Sequence, residues 1–237
     1  MSIDPIDALN SSGAMDEAVN ETELSFIAYL VNPDSLKAAD RISKIKQFMI
    51  NVPEKEDSNK SHIRVRETQL VYPGNETKHH LTIKTKLYSN VVTASKELTT
   101  RISPQFFAYY STVAESGSFK TRYTFKIKNP TVKFVHNDEI FKAVVPYLNY
   151  EVDVFTIDDF ISNWVKIDVE LDHVLAYIEQ YFHELLGIPI ENVGIHIDLS
   201  DIPCELASAF NSNVPNDAQK AIKDALYRKE IFAFKLT

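Results

Sequence analysis

The amino-acid sequence predicts an α+β protein: a closed antiparallel β-barrel or strongly curved sheet with helices packed on its outside. Three observations predict it. Many segments alternate between apolar and polar residues with a period of two, as half-buried strands do. Helical stretches are scattered between those segments, which suits helices wrapped around a sheet. The polar side of each strand also carries charge of one dominant sign.

The strand segments, in order, are 21–31, 61–71, 79–87, 119–128, 148–155 and 164–171, with weaker candidates at 48–52, 132–136 and 230–236. Helices are predicted over four stretches. The first, 35–46, follows Pro33 and Asp34. The second, 104–113, has Ser103 as its cap and Pro104 at its first position. The third, 172–186, has an acidic start and an amphipathic body, then Gly187 and Pro189 as stop signals. The fourth is 216–229. Pro73-Gly74-Asn75 and Lys128-Asn129-Pro130 read as loops between strands. Residues 1–20 are polar and unpatterned and read as a flexible leader. The remainder, 21–237, reads as a single domain with an insert near 190–215.

Composition bounds the classes. A chain of 237 residues, 44% hydrophobic, with 5 Gly, 14 Phe and 11 Tyr, suits an ordered, strand-rich globular domain. No run is long enough to span a membrane as a helix, and no signal peptide opens the sequence. One cysteine, Cys204, excludes an internal disulfide, and the expected location is cytoplasmic. A net charge of −8 argues against non-specific nucleic-acid binding by the whole molecule. No apolar seam announces an oligomer.

The faces of the strands are more informative. Residues two apart on a strand share a face. Leu24, Phe26, Ala28 and Leu30 share one face, opposite Glu21, Glu23 and Ser25. Ile63 and Val65 oppose Arg64 and Arg66; Leu81 and Ile83 oppose Thr82, Lys84 and Lys86. Tyr123, Phe125 and Ile127 oppose Lys120, Arg122 and Lys126. Val152 and Val154 oppose Glu151 and Asp153, and Ile167 and Val169 oppose Lys166, Asp168 and Glu170. An antiparallel sheet ordinarily has one dry and one wet face, and a wet face tolerates charge. A merely solvated face mixes both signs with Ser, Thr and Gln, however, whereas these charges come in like-signed pairs. If the apolar faces lie under the helices, the charged faces line the inside of the sheet. Unmatched charges there would cost on the order of several kcal/mol per ion. A polyanion on the basic side and a divalent metal on the acidic side would match them. Paired carboxylates suit Mg²⁺ or Mn²⁺, and Arg suits phosphate oxygens.

These residues resemble a known family. Glu21-Thr-Glu23-Leu-Ser25-Phe26 is similar to the opening E-x-E-x-K-F motif of CYTH, or triphosphate tunnel, proteins. Gln47-Phe48-Met-Ile50 is similar to their Q-x-Y-L segment, and Arg64-Val-Arg66 to their R-x-R strand. Leu81-Thr-Ile-Lys84 resembles L-T-x-K, and Lys120-Thr-Arg122-Tyr123 resembles K-x-R-Y. Glu151-Val-Asp153-Val-Phe155 and Asp168-Val-Glu170-Leu171 resemble E-x-D-x-F and E-x-E-F. No single motif is specific; their shared order from Glu21 to Leu171 carries the resemblance. It implies a closed, eight-stranded antiparallel tunnel and metal-dependent chemistry on triphosphates. By position, Arg64, Arg66, Lys84, Lys120 and Arg122 would hold phosphates. Glu21, Glu23, Asp168 and Glu170 would hold Mg²⁺ or Mn²⁺, with Asp153 as a further ligand or water-positioning group.

Ser25 departs from the pattern where the family has lysine, and a hydroxyl is a poor base at neutral pH. The expected activity is hydrolysis of an inorganic, thiamine or nucleoside triphosphate. Its alternatives are a catalytically weak module that sequesters a nucleotide or polyphosphate, and a class IV adenylate cyclase. Other features read as structural. His79 and His80 are adjacent and point to opposite strand faces, and His183-Glu184 lacks a second spaced histidine. Cys204 has no local partner, Trp164 reads as packing, and Phe106, Phe107, Tyr109 and Tyr110 read as a helix anchor.

Overall fold

The computed structural model describes residues 19–50, 61–87, 93–114, 116–136, 139–157, 160–171, 174, 177, 180, 194–196 and 210–211. Most of the leader lies outside these residues, as do the strand expected at 230–236, the helix expected at 216–229, Cys204 and most of the insert.

The chain begins with β1 (Val19–Leu30), a 3-10 turn over Pro33–Ala38, and then β2 (Arg41–Ile50) and β3 (Ser61–Tyr72). After β4 (Thr77–Leu87) and β5 (Thr93–Arg101) comes α1 (Pro104–Val113), followed by β6 (Ser116–Lys128). A hairpin of β7 (Thr131–His136) and β8 (Glu139–Val144) precedes β9 (Tyr147–Ile157) and β10 (Phe160–Glu170). Two short strands, β11 (Gly194–His196) and β12 (Phe210–Asn211), come from the region read as an insert. β11 joins β7 and β8 in a three-stranded sheet. β12 pairs with Tyr29 and Leu30 at the end of β1.

The main sheet is antiparallel, and its pairings run β10-β9-β6-β2-β3-β4-β5-β1. β1 then pairs back to β10. It does so by splitting its length: Val19 to Glu23 pair with β5, and Glu23 to Tyr29 pair with β10. The eight strands β1 to β6, β9 and β10 therefore each have a partner on both sides.

The apolar faces lie outside the ring, as predicted from parity. Phe48, Val65 and Leu81 pack under Phe107 and Tyr110 of α1, whose cap is the Ser103 hydroxyl accepting from the Phe106 amide at 3.1 Å. Of the predicted aromatic anchor, Phe107 and Tyr110 are buried and Tyr109 is exposed. A second core joins Ala28, Tyr150, Val152, Val165, Ile167 and Val169 to Val132 and Ala143 of the smaller sheet. Val174 belongs to this core and Tyr177 packs against it; both are helical, as is Gln180, on the helix expected at 172–186. Gly117 is required where Phe48 crosses β6, because a Cβ there would stand 2.7 Å from its ring.

The helix expected at 35–46 is a correction. The helical stretch ends at Ala38, and Arg41–Ile50 is a strand paired on both edges. Ile42, Phe48 and Ile50 all reach the outer apolar clusters, so pairing and packing override the local helical pattern. β5 and β8 are additions. β5 has Leu98 as its one large aliphatic residue, so its alternation is too weak to read from sequence.

Candidate functional site

The charged faces meet inside the ring. β3 supplies Arg64 and Arg66, β4 supplies Lys84, and β6 supplies Lys120 and Arg122. The opposing wall is β1, β10 and β9, with Glu23, Asp168, Glu170, Glu151 and Asp153. The side chain of Glu21 lies outside the described residues. Register aligns the acids closely: Glu23 faces Glu170, and Asp168 faces Glu151. Like charges directly opposed across strands repel, so these acids need compensation from neighbouring donors or cations.

Several of these charges are already matched within the chain. Asp153 is fully buried; its Oδ1 accepts from Arg122 Nε at 2.7 Å, and its Oδ2 accepts from Arg122 Nη2 at 2.9 Å and Lys120 Nζ at 2.5 Å. Arg122 also contacts Glu151. Both oxygens of Asp153 thus serve cations of this chain. Asp168 is similarly enclosed: Ser25 Oγ donates to Oδ1 at 2.6 Å and Lys166 Nζ to Oδ2 at 2.8 Å. Glu170 accepts from Asn149 Nδ2 at 2.8 Å. Sequence reading missed Glu97, which accepts from Arg64 at 3.0 Å and lies 3.3 Å from Lys84 Nζ. Lys84 also stands 3.8 Å from Glu23.

Where the cations converge, not all of their donors are used. Arg66 has one neutral side-chain partner, Gln47 Oε1, at 2.9 Å. The Nε atoms of both Arg64 and Arg66 are buried without a hydrogen-bond partner among the described residues. Ser118 Oγ is in the same condition. Burial, aided by Arg64 and Arg122, pushes the Arg66 guanidinium down to about 9. Burial also lowers Lys120 to about 8; Asp153 opposes this, while Arg122, Arg66 and Lys166 add to it. For Arg122 burial acts the same way, but Asp153 and Glu151 outweigh it and raise its pKa well above the usual value. On the neighbouring strand β9, burial raises Glu151, with Arg122 opposing and Asp153, Glu170 and Asp168 reinforcing. Asp153 goes the other way: burial would raise it, but Arg122 and Lys120 hold it far below the usual carboxylate range.

A pH dependence follows for Lys120. Between pH of about 8 and its ordinary 10.5, the unfolded chain holds a proton that the folded chain has lost, so this group makes unliganded stability rise with pH. A bound polyanion restores the proton, so affinity should fall as pH rises past about 8. Titration calorimetry with inorganic triphosphate at pH 7.5 and 9.5 should show that fall, and Lys120→Met should remove most of it. Equal pH slopes in both proteins would show that Lys120 is not coupled to the anion.

The sequence features set aside behave as packing. His79 Nε2 lies 3.1 Å from Glu67 Oε2, and its ring lies against Phe107 at 5.1 Å. Trp164 meets Tyr29 edge-on at 5.1 Å and packs against Ile27 and Phe155. By register these apolar residues continue the charged face toward one end of the ring, beyond Lys166 and Asp153. Among the described residues, no group of three or more His, Cys, Asp or Glu side chains is close enough to hold a metal ion. Nor is any helix among them long and apolar enough to cross a membrane.

No family model matches the chain, and no curated protein matches it. Among solved structures it is similar to the PH1819 protein from Pyrococcus horikoshii OT3, at 11% identity and TM-score 0.40, covering 85% of this chain and 99% of that one. It is also similar to two structures of NE1496. One is described as a hypothetical protein, at 16% identity and TM-score 0.38, covering 93% of this chain and 100% of that one. The other is described as an inorganic triphosphatase, at 17% identity and TM-score 0.38, covering 94% and 99%. The strand pairings, not these overlaps, define the fold.

Proposed function

We propose that the ring of strands is a closed triphosphate tunnel of the CYTH type, and that it binds and hydrolyses a triphosphate with a divalent metal. The observation that carries this reading is the cluster of inward cations whose buried donors are not all used. Arg64 and Arg66 come from β3 and Lys120 and Arg122 from β6, and the buried Nε atoms of Arg64 and Arg66 have no hydrogen-bond partner among the described residues. A polyphosphate supplies several anionic oxygens in a row, which would satisfy those donors and relieve the crowding of like charges. The motif order supports the same reading, because every motif strand pairs into the one antiparallel sheet.

The donor set on the acidic wall fits a hard dication in chemistry. Glu23 and Glu170 are directly opposed, and Glu21 is two residues further along β1. We assign Mg²⁺ or Mn²⁺ to these three. Asp153 and Asp168 were expected as ligands too, but their oxygens already accept from Lys120, Arg122, Lys166 and Ser25. A bound dication would neutralise phosphate charge and acidify water. The chain's own part is to grip the phosphates from the basic wall. In that grip, water attacks the terminal phosphorus, the anhydride P–O bond breaks, and the guanidinium groups stabilise the charge of the transferring group.

The test is phosphate release from the purified chain with inorganic, thiamine and nucleoside triphosphates, each with Mg²⁺, Mn²⁺ or chelator. Metal-dependent release is expected, and Glu23→Gln with Glu170→Gln should reduce it by about 10²-fold or more. Full activity in that double variant would sink the metal assignment. Absence of release, with thermal stabilisation by triphosphate intact, would favour the sequestering reading, in which Ser25 marks a site lacking a base.

A further inference from the structure

We infer that Ser118 is a further triphosphate-binding residue, its hydroxyl donating to a phosphate oxygen alongside the guanidinium groups of β3. This rests on the tunnel reading above. Ser118 lies two residues before Lys120 on β6 and shares the inward face of Lys120 and Arg122. Its neighbours Gly117 and Phe119 take the other face, where both meet Phe48. Register sets Ser118 opposite Gln47 on β2, and Gln47 opposite Arg66 on β3. The three form one row across the basic wall.

The groups nearest in register are committed elsewhere. Gln47 Oε1 accepts from Arg66 at 2.9 Å, and its Nε2 is turned toward Met49 Sδ at 3.8 Å. A guanidinium can only donate, which fixes that amide with its oxygen toward Arg66. Lys120 Nζ donates to Asp153 at 2.5 Å. Ser118 is 6% exposed, and its Oγ has no hydrogen-bond partner among the described residues. A buried hydroxyl left in this condition costs stability, and native folds keep few of them. The other buried side-chain atoms in the same condition, among the described residues, are the Nε atoms of Arg64 and Arg66. All three lie on the inward faces of β3 and β6, the two strands that flank β2. Two N–H groups that can only donate, with a hydroxyl that can turn to donate, call for a ligand rich in acceptors. A phosphate is such a ligand. The hydroxyl also adds a donor to a crowded group of cations without adding charge.

Ser118→Ala removes the oxygen and little else. Calorimetric titration and melting would be run on the full chain with inorganic triphosphate, with and without Mg²⁺. Affinity is expected to fall about tenfold, the size of one hydrogen bond to a charged group. The unliganded variant is expected to melt no lower than wild type, since no partner is stripped and a polar atom leaves a buried place. A hydroxyl that only supports the fold would show the reverse, lower melting with affinity intact, and that result would overturn the assignment. Ser118→Ala combined with Arg66→Met should lose less than the sum of the two single losses, because both groups address one phosphate. Affinity within about twofold of wild type in Ser118→Ala would also overturn it, while triphosphate binding by the wild-type chain would leave the tunnel reading intact. Absence of any triphosphate effect on the wild-type chain, with or without Mg²⁺, would overturn both.

Discussion

Arg66→Met is expected to weaken triphosphate binding by roughly 10²-fold or more and, at the same time, to make the unliganded protein more stable than wild type. Both effects come from one circumstance. Arg66 is held inside the ring with a neutral partner, Gln47, and with its Nε unsatisfied. Burial and the neighbouring Arg64 and Arg122 act against its charge. Holding an under-paired cation there destabilises the empty fold, and a methionine of similar reach removes that penalty. Replacing buried charge with apolar side chains is often neutral or stabilising by about 1–4 kcal/mol. When triphosphate binds, the same guanidinium gains a bidentate anionic partner, and charged hydrogen bonds of this kind contribute about 1.5–3 kcal/mol each. Calorimetric melting with and without inorganic triphosphate reads both effects in one experiment. A variant that melts lower than wild type and keeps full affinity would show Arg66 to be a structural ion rather than a ligand site.

The parts of this protein legible in the sequence are those governed by strict period. Parity assigns a face to every residue of a strand, so Arg64, Arg66, Lys120, Arg122, Glu23 and Glu170 could be grouped before any contact was known. What parity does not specify is which partner a charge meets. Asp153 and Glu151 share a face and a strand, yet Asp153 takes Lys120 and Arg122 together while Glu151 meets Arg122. That choice depends on how β6 and β9 register beside each other, with Arg122 opposite Asp153. Glu97 was invisible for a related reason: β5 carries little apolar alternation and is held in place by β4 and β1. The first part of β2, 41–46, reads as helix because its sequence suits one locally, whereas pairing on both edges and the outer clusters make it a strand continuous with the segment expected from 48.

Asp153→Asn is expected to destabilise the fold by about 3–5 kcal/mol, the usual cost of stripping one partner from a buried charge pair. Against a typical total of about 5–15 kcal/mol this is severe, and the melting temperature should fall by on the order of 10 °C. The amide can accept with its one oxygen but offers no charge, so Lys120 and the Nε edge of Arg122 would be left buried and under-compensated. Glu151→Gln, two residues away on the same face, should behave differently. Burial and neighbouring acids already push the Glu151 carboxyl up, so its ionised form is opposed by its surroundings. Its loss should cost about 1 kcal/mol or less, at the low end of what a point substitution costs. Polyanion should partly rescue Asp153→Asn, because a phosphate oxygen can take over the freed donors of Lys120 and Arg122, whereas it should do nothing comparable for Glu151→Gln. Chemical denaturation of the two variants with and without inorganic triphosphate separates these expectations. Equal destabilisation of both would mean that the acidic residues act as a shared field, and that the specific Asp153 contacts do not organise the basic wall.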